Sequence, residues 1–478
     1  MNITEELLLV LPELSLLCLA CLVLIVDAFS KDKEHALGYW LSQSTLVIVF
    51  LLVFISIPSV PELAFHNSFI HDAMSSILKC FICGISLIVF LYSYEYLKEN
   101  KLVKGEYFVL GLFAVLGMMI MASAYSLLSV YLGLELMSLS MYAMVAMNRE
   151  SPAASEAAMK YFVLGALASG MLLYGISMIY GLTGSLQLGQ IATVISNDAG
   201  NIRYLVFGMI FMIIGIAFKL GAAPFHMWVP DVYQGAPTSV TLFISTAPKL
   251  AAFAMAIRIL VDGMFPLVED WQTILMALAV LSMAIGNIIA ISQSNIKRML
   301  AYSTIAHMGY LFLGLIAGTI TGFAGAMFYI ISYAMMSMGA FGMIILLGRY
   351  GFEAERLEDF KGLSERSPWF AFVMMCLMFS MAGVPPFLGF WSKWFVLNEL
   401  VSAGFVSLAA IAVVFSIIGA FYYLRIVKLI YFDKPDTMTA IKASKQMRAV
   451  LTANGLIIII LGLLPNSLMQ ICLNALSN

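Results

Sequence analysis

The chain has 478 residues, of which 62% are hydrophobic and 11% are charged, whereas soluble proteins are about half apolar and about a quarter charged. This composition excludes an ordinary soluble domain and indicates an integral membrane protein. The net charge of −2 at pH 7 gives no sign of nucleic-acid binding.

Fourteen apolar segments follow one another along the chain, each close to the length of about 20 residues that a membrane-spanning helix needs. They are numbered here in chain order and begin near residues 5, 37, 69, 106, 126, 156, 204, 238, 271, 296, 319, 369, 402 and 449. The first begins within the acidic start MNITEELLLV. Because a cleavable signal peptide would be basic there, we expect this segment to remain as a helix.

The connections between the segments leave no room for a redox or nucleotide-binding domain. The longest polar ones, 349–368 and 433–448, are too short to fold around a flavin, a nucleotide or an iron–sulfur cluster. There is also no P-loop and no G-x-G-x-x-G after a strand. The Cys-x-x-Cys pairs at 18–21 and 80–83 lie in apolar helices without nearby histidines, so we interpret them as packing residues and assign no metal.

Lysine and arginine are distributed unequally between the two sides of the membrane. Of the 25 lysine and arginine residues, 19 lie in the connections after segments 1, 3, 5, 9, 11 and 13, including Lys33, Arg349 and Lys442. The connections on the opposite side hold only Arg203 and Arg258. Cytoplasmic loops carry the excess of basic residues. We therefore predict that both termini lie on the outer side.

Four basic residues lie inside the apolar segments, Lys79, Lys219, Lys249 and Lys393, and Glu135 is the clearest acid at mid-span. Each costs about 2.5–3.5 kcal/mol on insertion scales, so a functional role is the hypothesis for Glu135, Lys219, Lys249 and Lys393. The alternative is a structural ion pair, or a lysine that extends to the interface. For Lys79, which has no helix break beside it, both interpretations stay open.

Three of the lysines lie beside prolines that interrupt a segment. Lys219 precedes Pro224, Lys249 follows Pro248, and Lys393 follows GVPPFLGFW. Proline frees the backbone carbonyl one turn earlier, and broken backbone at membrane depth persists only where it lines protein or water. The pattern predicts a hydrated polar interior at these breaks.

A buried lysine can gain and lose a proton as a carboxylate approaches and withdraws. Histidine titrates near neutral pH, which adds His226 and His307 as candidates, although a lone histidine in an apolar helix is as often a satisfied core residue. Lys160 is a further candidate. The residues together suggest a proton relay in which Glu135 adjusts the proton affinity of Lys219.

The sequence around the first break is repeated around the second. Residues 221–225, GAAPF, are echoed by residues 383–387, GVPPF, each followed by a tryptophan. The copies lie five segments apart and so cross the membrane in opposite directions, which predicts an inverted repeat. Both Lys219 and Lys393 would then lie on the outer side of their breaks, in one polar layer.

The predicted fold is all-α, with about 14 transmembrane helices, two inverted five-helix repeats and broken segments 7 and 12. Its divisions are 1–104 with segments 1–3, 105–262 with segments 4–8, 263–432 with segments 9–13, and 433–478 with a loop and segment 14.

Three stretches resemble a known family. FKLGAAPFHMWVPDVYQGAPTSV (218–240), NIKRMLAYSTIAHMGY (295–310) and AGVPPFLGFWSKWFVL (382–397) are similar to the antiporter-like, proton-pumping membrane subunits of bacterial respiratory complex I, and most to the N type. In that family the glutamate of helix 5 matches Glu135, and the lysines of helices 7, 8 and 12 match Lys219, Lys249 and Lys393.

The resemblance implies a proton-translocating, non-redox subunit in the bacterial inner membrane. NADH, FMN, iron–sulfur clusters and quinone are then expected in partner subunits, and other membrane subunits are the expected neighbours. Three alternatives stay open: a subunit of a multi-subunit Na⁺/H⁺ antiporter or membrane-bound hydrogenase, a stand-alone cation/proton antiporter, and a structural scaffold whose buried charges only hold helices together.

The topology can be tested by labelling single cysteines from either side of the membrane. Cysteines at Ser364 and Lys445 should react only from the cytoplasmic side, and one at Asn478 only from outside, because basic connections stay in the cytoplasm. Labelling of positions 364 and 478 from the same face would contradict both the topology and the inverted repeat.

Overall fold

The computed structural model describes residues 3–32, 34–197, 202–348, 352–435, 441 and 443–477. Lys33, Arg349, Lys442 and Asn478, which enter the predicted topology and its test, lie outside the described residues. The chain is almost entirely helical, and its one β-sheet within the described residues is a two-stranded hairpin.

The N-terminal part has three long helices and the hairpin. Its elements are α1 (Ile3–Leu9), α2 (Leu11–Phe29), α3 (Ala36–Ile55), β1 (Glu62–Ala64), β2 (Phe69–His71) and α4 (Ala73–Glu99). Segment 3, predicted to begin near residue 69, begins later because the chain there pairs as β2. Asp72 caps α4, since its carboxylate accepts a hydrogen bond of 2.9 Å from the Ser75 backbone N–H.

The middle part contains two interrupted helices. Its elements are α5 (Gly105–Ser123), α6 (Leu127–Val145), α7 (Pro152–Thr183), α8 (Leu188–Asn197), α9 (Ile202–Leu220), α10 (Trp228–Gly235), α11 (Thr238–Ile244), α12 (Ala247–Ala256) and a π-helical end, Ile257–Gly263. Segment 7 is interrupted between α9 and α10, and segment 8 between α11 and α12.

The third part contains the second interrupted helix that the sequence predicts. Its elements are α13 (Val268–Ile291), α14 (Ile296–Ile316), α15 (Ile320–Leu347), α16 (Leu363–Arg366), α17 (Pro368–Ala382), α18 (Leu388–Ser402), α19 (Val406–Tyr431), α20 (Lys445–Leu463) and α21 (Pro465–Ser477), with short 3₁₀ turns at Phe265–Leu267 and Leu357–Phe360.

Within the described residues, 13 helical stretches are long and apolar enough to cross a membrane. The remaining predicted segment, number 12, consists of the half-helices α17 and α18, each of 15 residues. The all-α membrane fold and both breaks are therefore confirmed, whereas the domain boundaries stay predictions.

Glycine allows two pairs of helices to approach closely. A Cβ atom on Gly117 of α5 would lie 2.5 Å from the Met137 nitrogen of α6. One on Gly286 of α13 would lie 2.6 Å from the Ala306 nitrogen of α14. The same kind of contact thus joins consecutive helices at corresponding places in the two predicted repeats.

Gly117→Val should lower the amount of folded protein in the membrane, because overpacking of this kind typically costs about 1–3 kcal/mol. The measurement is the protein content of membranes and its thermal stability in detergent. Gly170→Val on α7 is the matched control, since a Cβ there meets nothing within 4 Å. Equal loss in the two variants would show that α5–α6 packing is not the cause.

Candidate functional site

Both breaks begin with a Schellman motif, which ends a helix at a glycine in the left-handed region. Gly221 has φ of 81° and Gly383 has φ of 88°. The Ala222 N–H donates to the Ala217 carbonyl at 2.8 Å, and the Val384 N–H to the Phe379 carbonyl at 2.9 Å. Within the described part of the chain, this motif leaves the last carbonyls of α9 and α17 without backbone donors.

Lys249 supplies the missing donor at the first break. Its ammonium group donates to the carbonyl oxygens of Lys219 at 3.2 Å and Leu220 at 2.9 Å, and lies 5.2 Å from the Trp228 ring centroid. A positive charge at the C-terminus of a helix is favoured by the helix dipole. The lysine of α12 therefore caps the end of α9.

Lys393 has the same role at the second break, but from its own segment. Its ammonium group donates to the Ala382 carbonyl and to Ser416 Oγ, both at 2.9 Å, and lies 5.1 Å from the Tyr310 ring centroid. Judged by this contact, Lys393 corresponds to Lys249. The sequence pattern instead paired Lys393 with Lys219, because the pattern shows only the order of residues around each proline.

Lys219 turns away from its break and toward α6. Its ammonium group donates to Ser138 Oγ at 2.6 Å and lies 3.5 Å from Tyr142 Oη. Glu135, Ser138 and Tyr142 follow one another at spacings of three and four residues, so they share a face of α6. Ser138 thus binds the Lys219 ammonium group one helical turn along α6 from the Glu135 carboxylate.

Glu135 is placed near Lys219 but not in an ion pair with it. Among the described residues, no ion pair within 4 Å joins the two side chains, and Glu135 Oε1 is buried without a hydrogen-bond partner. The geometry is that of a separated acid and base with a serine hydroxyl beside them.

His307 is the centre of a buried hydroxyl cluster in the third part. Its Nδ1 lies 2.7 Å from Tyr329 Oη and its Nε2 3.0 Å from Tyr423 Oη. Tyr423 also makes a short hydrogen bond with Ser303. A histidine held between two phenol groups can pass a proton from one ring nitrogen to the other.

A series of hydroxyl groups extends from the His307 cluster toward Lys249. Thr304, one turn before His307, hydrogen-bonds Tyr333 at 2.7 Å. Ser337, one turn after Tyr333 on α15, donates to Ser245 at 3.2 Å. Ser245 lies at the interruption of segment 8, four residues before Lys249. The buried polar line therefore crosses from one predicted repeat to the other.

The remaining two candidates lie off this line. His226 is buried in the loop of the first break, and within the described residues its Nδ1 has no hydrogen-bond partner. Lys160 is 41% exposed and pairs with Asp231 and Glu156, both at 2.7 Å. Lys160 belongs to a surface cluster rather than to the buried line.

This surface cluster lines a polar cavity of about 500 Å³ that was not predicted from the sequence. Lys297, counted from sequence as a loop residue, is buried in α14 and pairs with Glu355 at 2.7 Å and Glu353 at 3.4 Å. Burial raises the pKa of Glu353, but the Lys297 ammonium and the Thr238 and Tyr96 hydroxyls outweigh this and hold it below its usual value. The only signal in the sequence was the acidic pair in the loop after segment 11.

Lys79 is also separate from the line. It forms a buried ion pair of 2.5 Å with Glu13 of α2, which favours the ion-pair interpretation over a lysine that extends to the interface.

The chain is similar to proteins of one family throughout. Residues 124–419 match the family described as NADH:quinone oxidoreductase/Mrp antiporter, TM. NADH-quinone oxidoreductase subunit N of Thioalkalivibrio sulfidiphilus is 56% identical over 98% of this chain and 98% of its own length. Subunit N of Thiobacillus denitrificans is 56% identical over 97% and 96%.

Two solved structures are similar to the chain over nearly its whole length. A chain of respiratory complex I from Thermus thermophilus with bound aureothin is 30% identical, covers 96% of this chain and 98% of its own, and superposes with a TM-score of 0.82. A chain of the Mrp complex from Dietzia sp. DQ12-45-1b, 20% identical over 100% of this chain and 98% of its own, has a TM-score of 0.87 and shows the shared fold.

Proposed function

The chain belongs to the NADH:quinone oxidoreductase/Mrp antiporter family as a subunit N, an antiporter-like membrane subunit of complex I, and from this premise we propose that its buried lysines and histidine carry protons. Lys249 and Lys393 would each hold a proton at a helix break. His307 and its hydroxyl neighbours would pass protons between them, and Glu135 would control the proton affinity of Lys219.

One observation carries this proposal: two buried ammonium groups cap the two broken helices, and buried hydroxyl groups extend from the His307 cluster toward one of them, Lys249. An ammonium group in hydrocarbon is costly, and here each one is stabilised by carbonyl oxygens that can accept a hydrogen bond from either protonation state. Such a site can release its proton without losing its partner.

The electron-transfer chemistry belongs to other subunits in this proposal. NADH, FMN, iron–sulfur clusters and quinone would be bound by partners, and this chain would contribute to the enzyme as a translocating subunit. We further propose that it lies in the bacterial inner membrane beside other antiporter-like and small membrane subunits, with both termini on the periplasmic side.

Lys393→Met should reduce proton pumping while the complex still assembles. Methionine fills the space of the lysine stem but supplies neither a proton site nor a donor for the Ala382 carbonyl. The measurement is NADH-driven proton uptake into inside-out vesicles, expressed per electron transferred and normalised to complex content. We expect loss of most of the pumping that passes through this subunit.

The control for Lys393 is Lys428→Met, a lysine at the exposed end of the neighbouring helix α19. This variant should pump normally. Normal pumping per electron in an assembled Lys393→Met complex would contradict the relay and favour the structural scaffold.

Glu135 and Lys219 should act as one unit. Glu135→Gln should impair pumping and spare assembly, since the amide keeps the shape and removes the charge, and Glu135→Asp should be milder. Lys219→Ala should be at least as severe as Glu135→Gln, and the double variant no worse than the worse single one, because coupled residues are non-additive.

The same vesicle assay measures these four variants, and Glu358→Gln, at an exposed carboxylate, is the control. Strictly additive losses, or normal pumping by Glu135→Gln, would show that the carboxylate and the ammonium are not coupled. Lys219 would then be held by Ser138 for a reason unrelated to Glu135.

A further inference from the structure

The Glu13–Lys79 ion pair lies outside both predicted repeats and has no part in the line described above. Lys79 is 2% exposed and Glu13 is 8% exposed at the side chain. Replacing a buried ion pair by apolar residues is often neutral or even stabilising. Stability alone therefore gives little reason to retain these charges in apolar helices, and an ionisable residue in the membrane is by default a functional candidate.

His71 of strand β2 is buried beside this pair. Its Nε2 lies 2.7 Å from the Ser56 carbonyl oxygen, and because a carbonyl only accepts, Nε2 carries the hydrogen. In the neutral ring Nδ1 is then unprotonated and carries a lone pair. Nδ1 is buried and has no hydrogen-bond partner in the described part of the chain, so this nitrogen is a free proton acceptor.

Charged groups lie on several of the elements around His71, and Glu62 of β1 is its partner in the hairpin register. Asp72, the next residue, accepts from Arg258 at 2.7 Å, and Arg258 also pairs with Asp262 at 2.9 Å. With Glu13, Glu62 and Lys79, these groups comprise four carboxylates and two cations. Their formal sum is two negative charges, which favour a proton on His71.

This cluster adjoins the segment that carries Lys249. Arg258 belongs to the π-helical end of that same segment, nine residues beyond Lys249, and is buried. Asp262, at the end of the segment, is 23% exposed. The cluster therefore extends from the buried segment to the surface on the predicted outer side.

We propose that His71 Nδ1, controlled by the Glu13–Lys79 pair, is a proton-binding site through which this subunit releases protons on the outer side. The inference rests on the proposed function. The proton adds to the Nδ1 lone pair, the imidazolium is balanced by Asp72 and Glu13, and the proton then leaves to water past Asp262.

The ion pair sets how firmly His71 holds its proton. Burial lowers the pKa of His71, and the Lys79 ammonium lowers it further, while Glu13 and Asp72 act in the opposite direction. Removing the positive charge should strengthen proton binding, and removing the negative charge should weaken it.

The test uses the intact complex in inside-out vesicles, where the outer face is turned inward and its pH is set by the buffer loaded inside. NADH-driven proton uptake per electron is measured against internal pH. Lys79→Met should shift the pH profile to higher pH, Glu13→Gln to lower pH, and the double variant should lie between them. His71→Gln, which keeps a donor for Ser56, should reduce uptake per electron and abolish these shifts.

The matched control is the double change Glu34→Gln and Lys98→Met at an exposed ion pair between Lys98 of the same helix α4 and Glu34 in the connection before α3, which should change nothing. Three outcomes would show that the ion pair serves only to hold the two helices together. Both single variants could shift the pH profile in the same direction, complex content and pumping could be restored only in the double variant, or the His71→Gln profile could be unchanged. Lys393→Met in the same series separates the two proposals: if it impairs pumping while His71→Gln does not, only the outer site is wrong.

Discussion

The structure depends on contacts between buried ammonium groups and carbonyl oxygens that helix breaks leave unpaired. Lys249 contacts the end of α9, and Lys393 the end of α17. A carbonyl without a donor and an ammonium without an acceptor are each costly in hydrocarbon. In contact, each satisfies the other, so neither the breaks nor the lysines can be explained alone.

This arrangement suits a group that must change its protonation state. An ammonium has three N–H donors and a neutral amine still has two. If Lys249 or Lys393 lost its proton, as we propose, the carbonyl would keep a hydrogen-bond donor and the break would not need to close. The electrostatic part of the contact would change while its geometry persisted, so proton exchange would not require unfolding of the half-helices.

The sequence predicted what depends on composition and order along the chain. Charges within apolar segments identified Glu135 and the lysines, and proline with glycine identified both breaks. The hairpin at Phe69–His71 was missed because its apolar residues continue the pattern of segment 3. The partners of Lys249 and the buried state of Lys297 were also missed, since both depend on which helices pack together, and spacing along the chain does not contain that information.

Segment 8 connects the three polar regions of the molecule. Near its start, the Thr238 hydroxyl donates to Glu353 at the cavity, at 2.5 Å. Lys249 lies at the polar line, and Arg258 joins the cluster of Asp72 and Asp262 at the far end. An apolar helix in this fully buried position would serve packing equally well. Its three polar contacts instead connect the surface cavity, the first break and the cluster of Asp72 and Asp262, so in the proposed relay the movement of protons across the membrane and along it would meet at segment 8.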